Sequence, residues 1–220
     1  MDQPGIPPDQ LRENLLELDK LNRYLGGHYV TLQGVKKLLG EKNRVYKIVD
    51  IGCGSGDTLK YLARWARKHH YRFDLTGVDN NIHAIKHLKQ HCKGFPEISG
   101  VVSDYKDYGQ NGMMIDIYIS SLFCHHLNNE ALISLFRQFK MARRGFVIND
   151  LQRSPVAYYL VWLVTRILKG TELAKNDGPL SVRKAFTRNE LEQLLQEASV
   201  RNYSIERKWN FRFLITVRNF

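Results

Sequence analysis

The sequence is short of the residues that staple small domains together. It holds three cysteines, Cys53, Cys92 and Cys124, in 220 residues, and none of them share a C-x-x-C spacing. That argues against a disulfide framework and for a reducing compartment, so the expected location is cytoplasmic. The N-terminus, Met1-Asp2-Gln3-Pro4, lacks a basic region followed by an apolar one, and no signal peptide is read there. Without a secretory signal, the glycosylation-like triplet Asn202-Tyr203-Ser204 carries no weight. Long apolar runs are missing too. The stretch from Pro155 to Leu168 falls short of the ~18 residues needed to span a bilayer. No internal repeat or second domain is visible.

What the chain has in excess is positive charge, a net +11. Such an excess can serve a nucleic acid, an anionic carrier or an anionic membrane surface. Here it is dispersed over Lys60, Arg64, Arg67 and Lys68, then Lys86, Lys89 and Lys93, then Arg137, Lys140, Arg143 and Arg144. Dispersal favours a solvated basic face over a nucleic-acid groove. The length suits one α/β domain with an added cap.

The organising stretch is Lys47-Ile48-Val49-Asp50-Ile51-Gly52-Cys53-Gly54-Ser55-Gly56-Asp57. A β-branched run bounded by turn residues reads as a buried strand of a parallel sheet. Its glycines let the backbone turn sharply and approach a ligand. From Thr58 the pattern turns helical, with Leu59, Leu62, Ala63 and Ala66 on one face. Strand, glycine turn and helix N-terminus together make a nucleotide-type cradle. A dinucleotide fingerprint would need glycine at position 57, where Asp57 stands; the spacing is instead Asp50-x-Gly52-x-Gly54-x-Gly56.

The remaining strands are read from similar signals. Phe73–Asp79 ends in an acid 29 residues after Asp50, at the strand end where open parallel sheets bind ligands. A carboxylate there can accept both hydroxyls of a ribose, or cap the next helix. Ile98–Tyr105, Met114–Leu122 and Arg144–Asp150 read as further strands with their exits. The last two end in Phe123-Cys124-His125-His126-Leu127 and in Asn149-Asp150. His125 and His126 are candidate bases, since histidine titrates near neutral pH. His83, His87 and His91 share a helix face at steps of four, but with no third ligand type beside them they read as a surface row and no metal is expected.

At the N-terminus an amphipathic helix is expected from Asp9, then a break at Gly26-Gly27 and a short helix over about 31–39. Asn22, Arg23, Tyr24 and His28 flank this break, either as an ordinary helix end packed on the domain or as residues facing a cleft. Pro155–Leu168 reads as an inserted apolar helix, lining a pocket or touching a membrane or partner. Asn176–Ser181 reads as a loop. Thr187 with Glu190 spells a capping box, and the alternating segments around Asn210 spell a β-hairpin.

The form VDIGCGSGD resembles motif I of the class I S-adenosylmethionine (SAM) dependent methyltransferases. The resemblance runs from about Val45 to Asp150 and more loosely to the C-terminus. It implies an α/β, Rossmann-like, seven-stranded and mostly parallel sheet with an antiparallel C-terminal strand and a helical cap. Residues 1–44 would be a helical segment over the cleft, and 45–220 the SAM-binding domain with a cap insertion at about 154–180. Asp50, Gly52, Cys53, Gly54, Gly56, Asp79, Asn80, Asp104, Tyr105 and Ser120 are the cofactor residues it implies. Asp79 would hold the ribose, and Asp104 with Tyr105 the adenine. His125 and His126 match the His-His-Leu that often follows the fourth strand in small-molecule members.

The exit Ser120-Ser121-Leu122-Phe123 lacks the Asn/Asp-Pro-Pro-Tyr/Phe turn of amino-methylating DNA enzymes, and Cys124 lacks the proline of the pyrimidine C5 enzymes. The resemblance, together with the apolar cap, implies methyl transfer to an oxygen or carbon of a small aromatic, polyketide- or quinone-like acceptor, as in secondary metabolism. The alternatives are an RNA or protein methyltransferase and a non-catalytic SAM-binding subunit. Expected partners are the acceptor and SAM, with peripheral membrane contact allowed, in a monomer or homodimer.

Overall fold

The structure, a computed structural model, describes residues 26–109, 112–167 and 172–219. The helix expected from Asp9, with Asn22, Arg23 and Tyr24, lies outside the described residues.

Seven strands among the described residues form one sheet: β1 (Val45–Ile51), β2 (Arg72–Asp79), β3 (Ile98–Val102), β4 (Ile117–Ser121), β5 (Gly145–Leu151), β6 (Tyr203–Lys208) and β7 (Arg212–Arg218). Their order is β3-β2-β1-β4-β5-β7-β6. β1 to β5 pair in parallel, and β7 runs antiparallel to both β5 and β6. The hairpin turn uses Asn210 and Phe211 at φ 64° and 53°, a conformation that asparagine tolerates well. At the start of β5, Gly145 sits at φ 124°, and a Cβ there would lie 1.9 Å from the Val217 carbonyl oxygen. Only glycine lets β7 pair so closely at that point.

Helices cover both faces. α1 (Gly27–Leu38), α2 (Asp57–His69) and α3 (Ile82–His91) pack on one side. Leu59, Leu62, Ala63 and Ala66 of α2 are buried there against Ile48, Leu75 and Ile117, as their spacing requires. α4 (Asn129–Phe139) covers the other side, where Phe136 and Phe139 stack against Phe146 and Tyr118. α5 (Pro155–Ile167), α6 (Glu172–Lys184) and α7 (Arg188–Glu197) follow β5. α7 opens on the expected capping box, Thr187 with Glu190.

Three expectations shift. The helix expected over 31–39 starts at Gly27, because Gly26 in the left-handed region (φ 68°) makes the break one turn earlier. β4 starts at Ile117, not Met114; Met113 and Met114 are exposed, and the backbone first meets β1 where the Asp116 N–H donates to Lys47 O. The segment read as a loop at 176–181 is inside α6, with Pro179 in the helix. Packing on α5 outweighs the local turn signals: Gly178 brings α6 so close that a Cβ would sit 3.0 Å from Val161.

Candidate functional site

The β1–α2 connection builds the cleft from its backbone. Past Ile51 the chain turns at Gly52 (φ 72°), Gly54 (φ 51°) and Gly56 (φ 78°). The Gly52 and Cys53 N–H groups donate to Val78 O at 2.9 and 3.2 Å, folding the loop over the end of β2. Asp79 ties down both neighbours. Its Oδ2 accepts the Gly54 N–H at 3.1 Å, and its Oδ1 accepts the Asn81 N–H at 2.9 Å. Each oxygen keeps a second lone pair for a ligand. The helix-capping role belongs to Asn81, whose side chain accepts from His83 N and Ala84 N.

A cleft of about 280 Å³ opens at the carboxyl ends of β1, β2 and β3. The structure brings Gly52, Asp79, Asn80, Asp104 and Tyr105 together on its wall. It adds Ser103 and Phe123, which the sequence reading did not assign. Phe123 meets Tyr105 edge to face at 5.8 Å and lies so near the loop that a Cβ on Gly52 would sit 2.4 Å from its ring. The signal for Phe123 was an aromatic directly after a strand that ends in the cleft.

Other expected residues lie behind this wall. Ser120 is fully buried and donates to Ile51 O at 3.0 Å, tying β4 to β1. Cys53 is buried among Leu59 and Leu88 around Gly77. Gly56 packs on Leu88 and precedes α2. Burial pushes the Cys53 and Cys124 thiols well up, which keeps them unreactive. Asp50 is buried, and its Oδ1 has no hydrogen-bond partner. Burial, helped by the nearby charge of Asp79, pushes the Asp50 carboxyl well above the usual range. Asp79 is pushed up by its own burial, against the two N–H groups it accepts.

Two residues beyond Phe123 of the cleft wall stands a histidine–carboxylate pair. Leu122, at φ 56°, turns the chain out of β4 into the 3-10 turn Cys124–His126. That backbone costs an L-residue roughly 1–2 kcal/mol. His125 Nδ1 lies 2.7 Å from Asp150 Oδ1, and the His125 N–H donates to Asp150 Oδ2 at 3.2 Å. Both side chains are buried. Burial alone would push the Asp150 carboxyl up, but His125 and the backbone donors hold it below the usual range. The His126 ring lies tilted against His125, with 4.2 Å between ring centres. Asn149, fully buried, donates to Gly27 O at 2.9 Å and so fastens the start of α1 to the same end of the sheet. His28 sits in α1 with Nδ1 3.1 Å from Thr58 Oγ1 and stacks on Tyr61. On α3, His91 reaches Asp57 at 2.8 Å and stacks on His87. No group of three possible metal ligands occurs among the described residues.

Residues 48–144 match the family model described as a methyltransferase domain. That stretch is similar to methyltransferase domains over somewhat less than half of the chain. Solved structures agree at the level of the fold. The plantazolicin methyltransferase BpumL, in complex with S-adenosylhomocysteine (SAH), superposes at TM-score 0.65 and 18% identity, over 88% of this chain and 72% of that one. A SAM-dependent methyltransferase from Aquifex aeolicus gives 0.67 at 13% identity over 98% and 100%. The CurJ carbon methyltransferase gives 0.68 at 14% identity, over 97% of this chain and 61% of its own. No curated protein shows significant similarity to the sequence.

SAM or SAH is the ligand named for the first two of these solved structures, and the residues present here fit it. Its methionine end is cationic, and Asp50 offers a buried carboxylate oxygen with nothing to bond. The glycine loop leaves room where a side chain would fill the cradle.

Proposed function

We propose that this methyltransferase domain acts on an oxygen or carbon of a small aromatic, polyketide- or quinone-like acceptor. The observation that carries this reading is the His125–Asp150 pair, held past the end of β4 and near the end of β5, with His125 two residues beyond Phe123 of the cleft wall. Plantazolicin and polyketide methyltransferases share the fold, which supports a small acceptor.

In this reading Asp50 and the Gly52–Gly54 backbone would hold the methionine end of the cofactor. Asp79 would accept the ribose hydroxyls with its remaining lone pairs, and Asp104 and Tyr105 would hold the adenine. When bound, SAM supplies a methyl group on a sulfonium, already activated for displacement. The chain's part is to place the acceptor, exclude water and take up one proton. Asp150 accepts the Nδ1–H of His125, which fixes the tautomer and leaves Nε2 as the acceptor of a phenol or enol proton. The imidazolium so formed is stabilised by the Asp150 carboxylate. α6 packs against the turn that carries His125, and α5 packs on α6, so the two helices are placed to cap the acceptor.

Turnover of methyl-labelled SAM against phenols, quinols and β-keto thioesters tests the reading. Label is expected in one of these classes, reduced at least tenfold in Asp150→Asn. Transfer only to RNA or protein would contradict it.

A further inference from the structure

Arg212 is a buried charge that the chemistry above leaves unused. It opens β7, and the antiparallel register sets it beside Leu151 at the end of β5. It therefore stands at the carboxyl edge of the parallel strands, the edge that carries Asp79 and the His125–Asp150 pair. Strand alternation puts Asn149, Leu151 and Arg212 on one face, where the start of α1 is fastened to Asn149.

Arg212 is only 3% exposed, yet its Nε and Nη1 have no acceptor. Asn149 Oδ1, on the same face, is also buried and has no donor. Burial lowers the Arg212 pKa to about 10, against the attraction of Asp150, whose Oδ1 pairs with His125 Nδ1 and the Leu151 N–H and whose Oδ2 accepts the His125 N–H. Two guanidinium N–H groups left unmade in the interior destabilise a fold, and an apolar side chain of similar length would fill the space without that cost. What such a fork lacks is a planar anion, which it can bind through two parallel hydrogen bonds. The cofactor's own carboxylate is not placed to serve. β4 and β5 stand between β1 and β7, so the glycine loop is three strand spacings away, about 14 Å.

We propose that Arg212 is a substrate-binding residue that receives a carboxylate carried by the methyl acceptor. This rests on the methyltransferase reading above. It narrows the acceptor from a small aromatic or polyketide-like molecule to one bearing a carboxylic acid.

Calorimetric titration of 4-hydroxybenzoate and of octanoate into the full chain loaded with SAH tests the proposal. At least one acid is expected to bind saturably to wild type, at least tenfold more weakly to Arg212→Met, and with intermediate strength to Arg212→Lys. The corresponding methyl ester should bind wild type and Arg212→Met alike. The Arg212→Met chain should also melt at a higher temperature, since it loses an unpaired buried charge. Failure of both acids to bind wild type, equal binding to both chains, or a lower melting temperature for Arg212→Met would each overturn it. The initial SAH titration reports separately on the underlying reading. Wild type that binds SAH but ignores both acids defeats the Arg212 proposal alone, whereas wild type that binds no SAH defeats the methyltransferase site itself.

Discussion

Replacing Asp50 by asparagine should make the free protein more stable while weakening its hold on SAM. Asp50 is buried, one carboxylate oxygen has no partner, and Asp79 adds a second negative charge nearby. An unfolded aspartate titrates at about 3.9. The folded carboxyl is pushed well above that, so the native state holds its proton more tightly than the unfolded chain does. Its contribution to stability is therefore complete below pH ~4 and is lost as the pH rises through the folded pKa. At pH 8 burying this oxygen without a partner costs the native state roughly 1–3 kcal/mol. Asp50→Asn keeps the shape and removes the charge, so it should recover much of that cost. The gain corresponds to roughly 2–4 °C in Tm per kcal/mol for a domain of this size. Thermal denaturation followed by circular dichroism, at pH 8 and near pH 4, reads the difference directly. The variant should melt higher at pH 8, and the gap should close near pH 4. On the proposed site, SAM affinity at pH 8 should fall at least tenfold, because the carboxyl that would hold the cofactor's methionine end is gone. A variant that melts lower than wild type at pH 8 would show that Asp50 is satisfied within the fold, and the reasoning would fail.

Other outcomes follow from the same geometry. Asp150→Asn should destabilise the protein by about 1–3 kcal/mol at pH 7. Because His125 and the backbone donors hold the Asp150 carboxyl low, that loss should shrink as the pH falls through its folded pKa. Urea midpoints measured from pH 7 to pH 3 check it, and a loss independent of pH would contradict it. Gly52→Ala places a Cβ 2.4 Å from the Phe123 ring at φ 72°, and should cost about 2 kcal/mol or more in urea denaturation and abolish SAH binding. Thr187→Ala removes the capping box of α7 and should cost about 1 kcal/mol while leaving SAH affinity unchanged.

The parts of the fold set by local chemistry were legible in the residues. Val45–Ile51 forms a buried strand because β-branched residues fill it, and the Thr187–Glu190 spacing marks a helix start at the observed place. The turn at Asn210 follows from asparagine's tolerance of positive φ. Features that depend on contacts between distant segments were not legible. Asn176–Ser181 carries turn residues, yet helix packing against α5 holds it in α6. His125 and Asp150 are 25 residues apart and meet only because β4 and β5 are parallel neighbours. Sequence spacing cannot show which way a side chain turns at a strand end. The Ser120 hydroxyl turns back to Ile51 rather than into the cleft, and Arg212 is enclosed because β7 lies between β5 and β6 and is buried from Arg212 to Val217.

The central claim is that the carboxyl ends of β1, β2 and β3 hold an adenosyl ligand through Asp79. Calorimetric titration of SAH into wild type and Asp79→Ala is its most direct test. One site per chain is expected in wild type, with affinity at least tenfold lower in Asp79→Ala and the fold intact by circular dichroism. A wild-type protein that binds no SAH, or an Asp79→Ala variant that binds it equally well, would contradict the claim.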